Sequence, residues 1–168
     1  MRLIATLLVA AIACAACGSS DPPSAASPSD EDAFDWVAPA VEGGEIDAHD
    51  LVGTPLVVWF WAPWCPTCNA EAADLAATAA ELDDQATFVG IAGRDELGPM
   101  REFVDRYSLP FRSAVDEDGD LWSRFGVRAQ PAFAFVAPDG SYDVVFGAIP
   151  DDELRRRVAE LTPDQSPR

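Results

Sequence analysis

Apolar and polar positions along this chain sort into a few segments with distinct periods. Leu56-Val57-Val58-Trp59-Phe60-Trp61 is a continuous apolar run of strand length, the pattern of a strand covered on both faces. From Ala72 the apolar residues fall at Ala72, Leu75, Ala76, Ala79 and Leu82, which trace one face of an α-helix. Phe88-Val89-Gly90-Ile91-Ala92 predicts a second buried strand. Met100, Phe103, Val104 and Tyr107 repeat the helical spacing, and Pro110 closes that segment. Leu121 to Phe125 predicts a short helix. Phe133 to Val136 and Tyr142 to Phe146, joined across Asp139-Gly140, predict a β-hairpin. A last helix carries apolar Leu154, Val158 and Leu161, with Asp151 as its cap. Asp152 and Glu153 in its first turn, and Arg155 to Arg157 beyond, suit the helix dipole. Upstream, Gly43-Gly44 marks a turn before Ile46 and predicts a small N-terminal hairpin. An order of βαβα followed by ββα sets parallel strands beside an antiparallel hairpin. That is an α/β fold with a central mixed sheet flanked by helices.

The ends of the chain follow none of these periods. Met1-Arg2 and the apolar stretch Leu3 to Ala16 have the layout of a secretory signal, since a membrane-spanning helix needs about 20 apolar residues. The segment ends at Ala15-Ala16-Cys17-Gly18-Ser19-Ser20, which resembles the lipobox of bacterial lipoproteins. That resemblance implies a diacylglyceryl group on Cys17 and a lipid anchor on the cell membrane, with plain secretion as the alternative. It departs from the family in having Cys14 where a Leu is preferred. Residues 17–33, rich in Ser, Pro, Ala and acid, read as a flexible tether. The folded domain is expected over residues 34–161, with a short tail at 162–168.

Charge narrows the partners. The 168 residues include 29 acidic and 11 basic side chains, for a formal charge of -18. All the basic residues are Arg. Such a chain is repelled by phosphate backbones, which disfavours nucleic acid as a partner, and none is expected.

The candidate chemistry sits at Trp64-Cys65-Pro66-Thr67-Cys68, where the first apolar strand runs into the first helix. Thiol–disulfide exchange needs an attacking thiolate, a leaving thiolate and a second thiol near enough to resolve the mixed disulfide. Spacing of three residues on a first helical turn brings Cys65 and Cys68 within bridging reach. It also places Cys65 at the helix N-terminus, where free N–H groups and the dipole favour negative charge. Cys65 is therefore the expected nucleophile and Cys68, one turn inward, the resolving thiol. A zinc site would need about four ligands, and one Cys pair with the single His49 supplies no such set. Asp116-Glu117-Asp118-Gly119-Asp120 lacks the register of a calcium loop and reads as an exposed acidic turn. His49 reads as a surface or capping residue.

Phe60 to Cys68 resembles the active-site segment of the thioredoxin superfamily, and the N-terminus resembles its extracytoplasmic TlpA/ResA/DsbE-like branch. The segment Phe60 to Ala73, with Gly93 to Tyr107 and Gln130-Pro131, is similar to secreted DsbE-like oxidases. The resemblance covers residues 34–161 and implies a thioredoxin-like fold. It implies that Pro131, in Val127-Arg128-Ala129-Gln130-Pro131, is cis, packs beside the dithiol and leaves the Gln130 backbone for a substrate peptide. It implies that Glu71, three residues after Cys68, assists proton transfer, because Trp59 stands where thioredoxin has a buried Asp. From the residues alone, Glu71 reads as a solvent-facing helix glutamate; the proton-transfer role comes from the resemblance. Pro66 resembles the Cys-Pro-X-Cys of oxidising members, which favours disulfide donation. The expected partners are cysteine-containing exported proteins and a membrane thiol oxidase or reductase for recycling; the chain is expected to be a monomer. No cofactor or metal is expected beyond the Cys65–Cys68 disulfide. The alternatives are a reductase serving cytochrome c maturation and a non-catalytic metal-binding or scaffolding module.

Overall fold

The computed structural model describes residues 33–161. The signal segment, Cys17, nearly all of the tether and the tail lie outside the described residues.

Strands β1 (Val37–Pro39) and β2 (Glu45–Asp47) form the small antiparallel hairpin at the start of the domain. A 3-10 turn, Ala48–Leu51, leads into β3 (Leu56–Trp61), helix α1 (Pro66–Glu81) and β4 (Thr87–Gly93). Helix α2 (Leu97–Tyr107), β5 (Ser113–Asp116) and the short α3 (Asp120–Arg124) follow. Strands β6 (Ala132–Val136) and β7 (Tyr142–Phe146) and helix α4 (Asp151–Leu161) complete the chain. The main sheet has the order β5-β4-β3-β6-β7. Strands β3, β4 and β5 are parallel, whereas β6 and β7 run antiparallel to their neighbours.

β3 is the central strand, and it is buried along its whole length because two cores share it. Val57, Trp59 and Trp61 point into the core under α1, α2 and α4. Leu56, Val58 and Phe60 point into the second core, which contains Trp122, Phe125 and the N-terminal Phe34 and Trp36. A strand with helices on one face and covering segments on the other has no solvent side, so its sequence cannot alternate.

β5 is the strand that periodicity does not reveal. It has only four residues and begins and ends on Ser113 and Asp116, so it offers no apolar run. Pairing with β4 in the register Gly90↔Ser113 to Gly93↔Asp116 extends the sheet by a strand. The acidic stretch after it needs correction as well. Asp116 is buried, and its carboxylate accepts N–H bonds from Leu121 at 3.0 Å and Trp122 at 2.9 Å. It caps α3 from outside the helix, where the free N–H groups of a first turn favour an anion. Glu117, Asp118 and Asp120 are exposed.

Two helix ends also differ from the expected ones. α2 stops at Tyr107 because Ser108 takes a left-handed conformation, φ 49°, before Pro110 is reached. α4 begins at Asp151 itself, with Leu154 donating to the Pro150 carbonyl at 3.0 Å.

Gly93 ends β4 against the indole of Trp122. A Cβ built there would lie 2.5 Å from the ring. Trp122 is fully buried and donates Nε1–H to the Ile91 carbonyl at 3.2 Å, so the ring cannot retreat without losing that bond. Gly93→Ala is expected to destabilise the domain by about 1–3 kcal/mol, the usual cost of overpacking. Its denaturant midpoint should fall with an unchanged m-value.

Candidate active site

The chain leaves β3 at Trp61, turns through Ala62-Pro63-Trp64 and enters α1 at Pro66, leaving Cys65 as N-cap. Pro suits the first helical position, where its missing N–H would be unpaired anyway. Cys65 has extended backbone (φ -74°, ψ 116°), and its Sγ accepts the Cys68 N–H at 3.2 Å. The sulfur thus takes the part that Ser or Asp plays at ordinary helix starts. Both cysteines are free thiols. Both are buried, Cys65 at 3% exposure and Cys68 at 0%, and Cys65 is the one at the helix end, nearer the exposed Trp64, Pro66 and Thr67. Burial, and next its hydrogen bond with Cys65, push the Cys68 thiol far above its ordinary range.

Glu71 lies one turn below, on the same side of α1, and is half-buried rather than solvent-facing. Its Oε1 accepts Nε1–H from Trp59 at 2.9 Å, and its Oε2 is buried without a hydrogen-bond partner. Burial raises the carboxyl to about 7, opposed by the Trp59 bond. A carboxyl there is partly protonated near neutrality and can give or take a proton. The geometry therefore joins Trp59 and Glu71, which resemblance related only by exclusion. Glu71 also lines a cleft of about 470 Å³ that runs to the start of α4, with Leu75, Phe133 and Pro150 on its walls.

Pro131 precedes β6. The pairing Phe60↔Ala132, carried on by one residue, sets it level with Trp61 at the dithiol end of the sheet. The Gln130–Pro131 bond is cis, as the resemblance implies, and Pro131 is buried while Gln130 is partly exposed. Trp64 is 53% exposed and donates Nε1–H to the Arg94 carbonyl at 3.2 Å. Pro66 and Thr67 are exposed beside it.

Three further residues converge here: Asn69, which periodicity did not single out, and Phe103 and Tyr107, which it placed on a helix face but not at the site. Asn69, on α1, donates Nδ2–H to the carbonyls of Pro63 at 2.9 Å and Cys65 at 2.8 Å. Tyr107, at the end of α2, donates its hydroxyl to Asn69 Oδ1 at 2.9 Å. Phe103 stacks on Trp61 with ring centroids 4.3 Å apart. An Asn four residues after the first cysteine was the available signal, since i and i+4 share a helix face. His49, by contrast, serves the N-terminal turn. Its Nδ1 is 2.7 Å from Asp47 Oδ1, and that hydrogen bond raises its pKa above the ordinary value. Among the described residues no group of three or more His, Cys, Asp or Glu side chains could hold a metal ion, and no helix is long and apolar enough to cross a membrane.

Two thiols lie within one helical turn, and only Cys65 sits on the helix end; such a pair can bond to a visiting sulfur and then close on itself. On this sheet order that capacity defines a thiol–disulfide oxidoreductase of thioredoxin-like fold. The chain belongs to the AhpC/TSA family, whose model matches residues 30–143. It is 44% identical over 135 residues to the soluble secreted antigen MPT53 of Mycobacterium tuberculosis, covering 79% of this chain and 78% of that one. It is 27% identical over 134 residues to the thiol-disulfide oxidoreductase ResA of Oceanobacillus iheyensis, covering 77% and 69%. Among solved structures, MTB dsbF in mixed oxidized and reduced forms matches with TM-score 0.74 and 45% identity over 78% of this chain and 98% of its own. A secreted M. tuberculosis disulfide oxidoreductase homologous to E. coli DsbE matches with TM-score 0.73 and 44% identity, covering 79% and 99%. The chain is an extracytoplasmic enzyme of this class.

Proposed function

We propose that this enzyme donates the Cys65–Cys68 disulfide to reduced, cysteine-containing exported proteins. The observation that carries this reading is the position of Cys65 Sγ as helix cap, accepting the Cys68 N–H. A site that stabilises the sulfur of the reduced form makes the disulfide the stronger oxidant. A substrate thiolate attacks Cys65 Sγ, the Cys65–Cys68 bond breaks, and its electron pair leaves on Cys68. That thiolate, strongly disfavoured by burial, takes a proton from Glu71. A second substrate thiolate then attacks the substrate sulfur of the mixed disulfide and expels Cys65 as a thiolate at the helix end. The substrate has lost two electrons and two protons. A membrane thiol oxidase restores the disulfide by accepting them, and no cofactor beyond the disulfide takes part. Trp64, Pro66 and Thr67 form the exposed contact surface, with Gln130 and Pro131 on the opposite side of the approach. Lipidation at Cys17 tethers the domain to the outer face of the membrane through residues 17–33.

Trapping tests this reading. In a Cys14→Ser, Cys17→Ser background, Cys68→Ala is loaded with thionitrobenzoate on Cys65 and mixed with reduced ribonuclease A. A covalent adduct that dithiothreitol releases is expected, in far greater yield than with intact Cys68. Absence of the adduct, or its persistence in a Cys65→Ser control, contradicts the reading. The likeness to ResA, together with the half-buried Glu71, favours a second reading. In it the same dithiol runs in reverse as a reductant for cytochrome c maturation, and the reduction potential separates the two.

A further inference from the structure

The carboxamide of Asn69 has only one orientation that satisfies its neighbours. Carbonyl oxygens cannot donate, so the two bonds to Pro63 O and Cys65 O require Nδ2 on that side. Oδ1 then faces Tyr107, whose hydroxyl must be the donor. The Cys65 carbonyl receives a second bond, from the Asn69 N–H at 3.0 Å, so both its lone pairs are used. The Pro63 carbonyl lies in the turn between β3 and α1, outside any ladder. Tyr107 is fixed in turn, because its ring packs 4.7 Å from Phe103, which stacks on Trp61. One side chain thus joins both ends of the Pro63–Cys65 turn to the terminus of α2.

We propose that Asn69 is a positioning residue for disulfide exchange, with Tyr107 as its anchor: it holds the Pro63–Cys65 turn so that Cys65 Sγ stays on the helix end. The reason is geometric. Sγ accepts the Cys68 N–H only while Cys65 keeps its extended cap conformation. The other side-chain tie on this turn is the exposed Trp64, which donates Nε1–H to the Arg94 carbonyl at 3.2 Å and does not reach Cys65. Cys65 N–H does bond to the Ala62 carbonyl at 3.1 Å, but that contact lies within the turn and moves with it. The inference rests on Cys65 being the nucleophile.

The test uses the full chain carrying Cys14→Ser and Cys17→Ser, reduced, with iodoacetamide as probe and mass-resolved alkylation of Cys65 and Cys68 from pH 4 to 9. Asn69→Ala is expected to slow Cys65 alkylation at pH 7 by roughly tenfold, as two hydrogen bonds are lost, and to move its pH profile upward. Asn69→Asp, which sets a carboxylate oxygen against two carbonyls, should slow it further. Tyr107→Phe keeps the ring and loses one bond, for roughly a threefold change in the same direction. The double variant should match Asn69→Ala alone, since Tyr107 acts through Asn69. If Asn69→Ala does not fold, Tyr107→Phe carries the test. A wild-type pH profile in these variants, even with a lowered melting temperature, overturns the positioning role. A parent protein whose Cys65 reacts no faster than Cys68 overturns the nucleophile assignment itself, and the positioning role with it.

Discussion

Cys65→Ser abolishes disulfide transfer to a reduced protein substrate, by at least about 10³-fold, while leaving the fold intact. Serine oxygen forms no bond that can be exchanged with a thiol, so neither the internal disulfide nor the mixed disulfide can exist. The structural cost is small because Ser is also a good helix cap and accepts the same N–H of residue 68. Cys68→Ser also lacks the internal disulfide. Once its Cys65 is loaded with thionitrobenzoate, however, a substrate thiolate can attack Cys65 Sγ, expel thionitrobenzoate and form the covalent intermediate, which Cys65→Ser cannot. The check is the rate of reoxidation of a reduced substrate, with denaturant midpoints of both variants as the control for folding. Equal, partial losses in the two variants would mean that the sulfurs are interchangeable, against their unequal places on the helix.

Glu71→Gln lowers turnover near pH 7 by about 10²-fold, the lower end of what a positioned acid or base contributes. Gln keeps an oxygen for Trp59 Nε1–H and nearly the same shape, so the loss isolates the proton. In the wild type, Cys68 cannot be left as a thiolate at its buried position, and Glu71 is the titratable carboxyl one turn away. Stability should move the opposite way. The carboxyl titrates near 7 in the fold and near an ordinary glutamate's 4.5 when unfolded, so its contribution is fully present below about 4.5. It is lost as pH rises to about 7, because only the unfolded chain ionises freely in that window. Glu71→Gln does not titrate, so the variant should gain on the wild type between pH 4.5 and 8 in denaturant midpoint. A variant that loses ground over that window would show that the ionised carboxylate is stabilised in the fold.

Much of this architecture was legible because burial writes itself into periodicity. Leu56 to Trp61 is apolar at every position since both faces are covered, and the helical faces of α1 and α2 follow the same logic. β5 was not legible. Four residues ending in a buried carboxylate carry no hydrophobic signature, and Asp116 reads as solvent-facing until α3 folds over it. The cysteine pair and its helix-end position followed from spacing alone; Glu71 was named only through the family resemblance, and its partial burial and its bond to Trp59 needed three dimensions. Its partner Trp59 is twelve residues earlier on a different element, and nothing local says that the indole N–H will find it. Asn69 was missed for a related reason: its partners are backbone carbonyls and a tyrosine on α2, which no residue pattern encodes.

The stretch Trp64 to Cys68 thus gains a polarity: the outer sulfur lies on the helix end, and the inner one is buried above a titratable carboxyl. The direction of electron flow is the claim on which the proposed function stands. The reduction potential of the Cys65–Cys68 couple, measured by equilibration with glutathione and mass-resolved trapping, tests it most directly. Disulfide donation predicts a value well above that of thioredoxin, towards the about −120 mV of a strong oxidant. A value at or below about −270 mV would contradict it and make the enzyme a reductant.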